Sequence, residues 1–145
     1  MADRIVVGTD GSESAKRAVS ESVRLARSLG AELHVVSGYK PVRDAKIAGA
    51  ADGAAKVWAV KPDEFVERTL GEAAASVRAQ DVPVKTHART EPPAEALLKV
   101  ADEVGASMIV VGNRRMHGAK RVLGSVPNAI SHKARCNVLI VSTDA

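Results

Sequence analysis

The sequence predicts an α/β fold: an open five-stranded parallel sheet with helices on both faces. Two observations carry this. Five short runs rich in Val and Ile alternate with segments of helical period, and such alternation implies crossover connections and parallel strands. Three of the runs are also nearly continuous in apolar residues, as strands covered on both faces must be.

The first run is "RIVVG" (4–8). Ala15, Ala18, Val19, Ala26 and Leu29 then recur at steps compatible with one helical face, and Gly30 closes that helix. "AELHVVS" (31–37) is the second strand. Residues 40–61 fit neither period and read as a long connection, with Trp58 as a packing anchor. Val66, Leu70, Ala73 and Val77 mark a helix from about Pro62 to Ala79. "PVKTHA" (83–88) alternates and starts on Pro83, which suits an outer strand. Ala94, Leu97, Leu98, Ala101 and Val104 form a clean helical face between Pro92-Pro93 and Gly105. "SMIVVG" (107–112) and "NVLIVST" (137–143) are the last strands, with a short helix from about Val126 between them. One domain is expected over 1–145, a length that buries enough surface without staples.

Composition narrows the function. One Trp, one Tyr and one Phe leave almost no platform for stacking bases. The net charge of +4 is mild but partly local, because Arg114, Arg115, Lys120 and Arg121 fall in one stretch. A basic cluster attracts anions without saying which. The single cysteine, Cys136, has no partner for an intramolecular disulfide and reads as a small hydrophobe. No signal peptide or membrane-length apolar run is visible, so a cytoplasmic protein without a membrane partner is expected.

In an open parallel sheet, ligands sit beyond the carboxyl ends of the strands where strand order reverses. Wiring of this kind puts the first and fourth strands side by side there. Both are followed by glycine-rich loops: "GTDGS" (8–12), and the stretch from Gly112 to Ser125. Glycines admit close backbone approach, and successive free N–H groups form an anion nest. A helix start at Ser125–Val126 adds unpaired donors and a positive dipole end. Arg114 and Arg115 supply charge-assisted bonds. Together these suit a polyphosphate. Asp10 repels phosphate, so it serves either a ribose hydroxyl, an amine or a metal, or simply the turn before the helix. His34 and His87 lie in strands and read as structural, while His117 belongs to the basic loop. The chain has no Walker A ending, no G-x-G-x-x-G, no G-x-S-x-G elbow, no paired metal-ligand spacing and no nucleophile–base pair.

With "VVGTDGS", "PAEALLKVADEVGASMIVVGN" and "LGSVPNAISHKARCNVLIV", the chain resembles the universal stress protein family over nearly its whole length except 40–61. The resemblance implies a Rossmann-like sheet of order 3-2-1-4-5, a homodimer, and in many members ATP. The family's ATP signature is Gly-x2-Gly-x9-Gly-Ser/Thr. Gly112 matches its first glycine, and Gly124-Ser125 its last pair. Asp10 matches the acidic residue near the adenine end, beside Gly8 and Thr9. Val35 to Ser37 offer backbone to adenine, and Val111 and Val126 flank the nucleotide. Arg115 replaces the second glycine, and the loop is one residue shorter, with Gly118 as a further flexible point. Pro127 stands where a hydroxyl is often found.

The resulting expectation is a stress-response regulatory module. It takes ATP or another adenine nucleotide, with Mg2+ accompanying a triphosphate. It acts through conformational change rather than turnover, with at most slow ATP hydrolysis, and it answers to a protein partner the sequence does not identify. The alternative is a dimeric interaction module of the same fold without nucleotide, favoured if Arg115 fills the phosphate space. An enzyme acting at an α-phosphate and a nucleic-acid binder rank behind these; no nucleic-acid partner is expected. The apolar last strand, "VLIV" (138–141), is an edge that a twofold partner strand would cover.

Overall fold

The computed structural model describes residues 3–39, 64–113 and 124–142. Elements run β1 (Arg4–Gly8), α1 (Glu13–Leu29), β2 (Glu32–Gly38), α2 (Glu64–Arg78), β3 (Val84–Arg89), α3 (Pro93–Val104), β4 (Met108–Gly112), α4 (Ser125–Lys133) and β5 (Asn137–Val141). All strand pairs are parallel, and the sheet order is β3-β2-β1-β4-β5. The expected order therefore holds, and the expected edge strand forms over Val84–Arg89, with Pro83 just before it.

Period-two alternation assigns the strand residues to two layers. Ile5, Val7, Leu33, Val35 and Val110 pack under α1 and α2 with Val19, Val23 and Leu70. Val6, Val36, Ile109 and Val111 face the other way, against Leu97, Val100 and Ile130 of α3 and α4. The middle residues of the central strands are thus buried on both faces, which is why they read as unbroken apolar runs.

Helix ends follow from local chemistry. The Ser12 hydroxyl accepts the Ala15 N–H at 3.1 Å, capping α1, and Glu13 complements the dipole. At the other end Gly30 takes φ +65°, and its N–H bonds back to the Ala26 carbonyl. Pro93 opens α3 and Gly105 closes it in the same left-handed conformation. Leu29 departs from its expected core position: it is 48% exposed. The chain reverses at Gly30, and buried Ala31 continues the core instead. Residues 40–61, with Trp58, lie outside the described residues, as do Pro62 and Asp63. Among the described residues no helix is long and apolar enough to cross a membrane.

Candidate functional site

The carboxyl ends of β1, β2 and β4 converge on a cavity of about 890 Å³. That lies inside the range of about 300–1,000 Å³ common for small-molecule sites. It sits at the reversal of strand order, between the loop after β1 and the start of α4. Its floor is apolar, with Val36, Leu97 and Val111 among the lining side chains.

The loop after β1 is held by its own side chains. The Gly11 N–H donates to Thr9 Oγ1 at 3.1 Å, and the Ser12 N–H donates to Asp10 Oδ1 at 2.9 Å. Gly11 takes φ +82°, a conformation costly for any residue with a Cβ. Thr9 is nearly buried, whereas Asp10 is exposed at the cavity rim. The turn role read for Asp10 is therefore realised, and its carboxylate still borders the cavity. Gly8 permits close approach: a Cβ there would lie 3.3 Å from two methyl carbons of Leu97, which would have to give by a few tenths of an ångström.

β2 outruns β1, and this creates a free peptide edge. Within a strand, the N–H and C=O of one residue point to the same side. The Val36 carbonyl accepts the Thr9 N–H at 2.9 Å on the β1 side, and the Tyr39 N–H donates to the Arg89 carbonyl at 2.8 Å on the β3 side. Gly38, two residues beyond Val36, therefore turns its N–H and C=O to the side that β1 has vacated. No backbone partner meets them among the described residues.

The opposite wall is the N-terminus of α4. Gly124 occupies the cap position with no side-chain hydrogen bond, and the first turn holds no acidic residue. Asn128 donates to the Gly124 carbonyl at 3.0 Å, and Pro127 has no N–H. The Ser125 and Val126 amides thus belong to the set that helix geometry leaves unpaired.

Most of the expected residues come together. Gly8, Thr9, Asp10, Ser37, Val111, Gly112, Gly124, Ser125 and Val126 all line the cavity. Val35 does not: it is fully buried in the α1–α2 layer, because a step of one residue along a strand reverses the side chain. Val36 and Gly38 take its place at the strand tip. Arg114, Arg115, Gly118 and His117 lie outside the described residues.

Glu91, in the loop after β3, also lines the cavity and was not singled out from sequence. Its own backbone amide, ahead of Lys99, holds its carboxyl below the ordinary carboxylate range. The signal for it was positional only: it follows a strand at the carboxyl edge of the sheet.

A doubly wound domain with a ligand-sized crevice at its switch point is the class this geometry defines. The chain belongs to the universal stress protein family, whose model matches residues 1–142. It is 37% identical over 142 residues to Universal stress protein Rv1636 of Mycobacterium tuberculosis, covering 96% of this chain and 95% of that protein. A universal stress protein solved in complex with cAMP is 32% identical, with TM-score 0.74, covering 99% of this chain and 98% of that one. A universal stress protein from Archaeoglobus fulgidus is 25% identical with TM-score 0.69, covering 97% and 93%.

Proposed function

We propose that this protein is a single-domain, cytoplasmic stress-response module that binds an adenine nucleotide in the crevice. The carrying observation is the pairing, in one cavity, of a free peptide edge at Gly38 with the uncapped start of α4. An adenine edge offers an adjacent donor and acceptor, which a peptide N–H and C=O complement. Ribose hydroxyls suit the carboxylate of Asp10 at the rim. Phosphates suit Gly112, the Ser125 and Val126 amides and, from the sequence between them, Arg114, Arg115 and Gly118. The relative solved with cAMP supports an adenine nucleotide as the class of ligand.

ATP is within this reading. Mg2+ would arrive with the triphosphate. Binding would act by changing the conformation that a protein partner reads.

Gentle purification followed by heat denaturation tests the proposal, with released nucleotide measured by absorbance and mass. Titration with millimolar ATP, AMP and cAMP is the second arm. A ligand at a hundred times its Kd stabilises by about 2.7 kcal/mol, a shift of several degrees in Tm. An empty preparation with no shift overturns the proposal. It would favour the interaction module without nucleotide, in which Arg115 fills the phosphate space instead of binding there.

The homodimer is proposed through β5. Its residues Val138 to Val141 are only half-buried, on an edge strand. Val141→Lys is expected to convert a dimer to monomer in light scattering while circular dichroism stays unchanged. A persistent dimer would remove β5 as the interface.

A further inference from the structure

A buried polar cluster lies outside the crevice, where β2 and edge strand β3 pair. His34 is 2% exposed, and its Nδ1 lies 2.9 Å from Nε2 of half-buried His87. The other nitrogen of His34, Nε2, lies 2.7 Å from Glu32 Oε1. The ring centroids are 5.1 Å apart at an interplanar angle of 29°. With nitrogens at 2.9 Å, the rings meet end to end rather than face to face, so their lone pairs oppose each other and do not converge as two metal ligands would.

The donors can be assigned. An ionised carboxylate only accepts, so His34 donates to Glu32 from Nε2. That hydrogen bond is the main reason the Glu32 carboxyl sits below the ordinary range. Neutral His34 then has a bare Nδ1, and His87 must donate to it from Nε2. One added proton can be held, because a single charged ring still meets a neutral partner with a bare nitrogen and donates to it across the 2.9 Å. A second proton cannot. Both rings would then present N–H groups to each other across 2.9 Å.

Of the surrounding charges, Arg89 and Lys85 oppose that second proton, and Glu103 alone favours it. Arg4 of β1 and Lys85 of β3 lie 3.5 and 3.9 Å from the Glu32 carboxylate, already drawing on it. Arg89 of β3 is paired with Glu103 of α3, so that acid is shared. Burial foremost, then the charges of His34 and Arg89, holds His87 below the ordinary histidine value of 6.5.

We propose that Glu32, His34 and His87 form a two-proton latch on the edge of the sheet. It fastens β3 to β2 with no proton or one proton added, and it releases the edge strand when both rings are charged. The sign follows from linkage. Between the lowered native value of His87 and 6.5, the unfolded chain binds more protons than the folded one. Stability is therefore complete above that window and falls as pH falls through it. Release would also loosen the crevice wall, because the Tyr39 N–H is held by the Arg89 carbonyl at the end of β3.

Amide hydrogen exchange on the full chain tests this, corrected for intrinsic exchange at each pH. Lowering the pH from about 7.5 to about 5 should raise the opening of residues 84–89 by up to about tenfold for each pH unit by which His87 is held down. The amides of β5, at the other edge, are the control. His87→Gln keeps a donor for His34 Nδ1 but cannot titrate, and it should abolish the rise. An equal rise in β3 and β5, or a rise that survives His87→Gln, overturns the latch. Nitrogen-15 NMR of the histidine rings in the unsubstituted chain gives an independent decision. At about pH 8 His34 must carry its proton on Nε2; a proton on Nδ1 overturns the assignment whatever the variant does.

Discussion

Ser125→Asp is expected to abolish adenine-nucleotide binding while leaving the protein as stable as before, or slightly more so. Ser125 is the first residue of α4, is exposed and lines the crevice. Nothing negative occupies that first turn, and no side chain caps Gly124. A carboxylate there meets the positive end of the helix dipole, a gain of about 0.3–1 kcal/mol at an exposed site. For a bound phosphate the same carboxylate is a like charge at close range. Two unit charges about 4 Å apart near a protein surface repel by about 4 kcal/mol before salt screening, so a loss of at least about a hundredfold in affinity is expected. Few substitutions push binding and folding in opposite directions. That opposition separates this prediction from general damage: calorimetry with AMP should lose its heat while the ligand-free melting curve holds or rises. Ser125→Ala is the control and should weaken binding far less, since the amides do the work. Undiminished binding in the Asp variant would place the phosphates away from α4.

How much of this site the sequence discloses depends on the range of the signal. Strand and helix period act over a few residues, so the five strands and the glycine closures at Gly30 and Gly105 can be read directly. Strand order places the loops after β1 and β4 together, and the cavity is there. Side-chain direction at the tip of β2 is finer. Val35 and Val36 are both apolar in a strand covered on both faces, so composition cannot say which points to the crevice. Gly38 is invisible for a different reason: its role depends on β1 ending at Gly8, two residues short of the point where it would have paired. The His34–His87 contact joins residues 53 apart. Each looks like an isolated strand histidine until register sets Val36 opposite His87 and His34 opposite Lys85. Pairing of this kind belongs to the sheet, not to any segment of it.

Ile109→Ala is expected to produce the largest loss of stability. Ile109 lies on β4, between Val6 of β1 and Val138 of β5 in register, and it is completely buried. Its side chain enters the layer formed with Leu97, Val100 and Ile130, where α3 and α4 meet the sheet. Truncation removes three carbons from a site that neighbouring strands cannot collapse to fill, because their backbones are fixed by the ladder on both sides. Large-to-small changes of this type cost about 2–5 kcal/mol, and this rigid central position argues for the upper half. Against a total stability of about 5–15 kcal/mol, that is about a quarter or more. For a chain of this length, Tm should fall by about 10 °C or more. The urea midpoint should fall with it at unchanged slope, since the same surface is exposed on unfolding. Ile109→Val, which keeps two of the three carbons beyond Cβ, should cost only about 0.5–1.5 kcal/mol. If the Ala variant lost no more than the Val variant, the α3–α4 layer would be loosely packed. The crevice floor supplied by Leu97 and Val111 of that layer would then lack the rigidity that a preformed site requires.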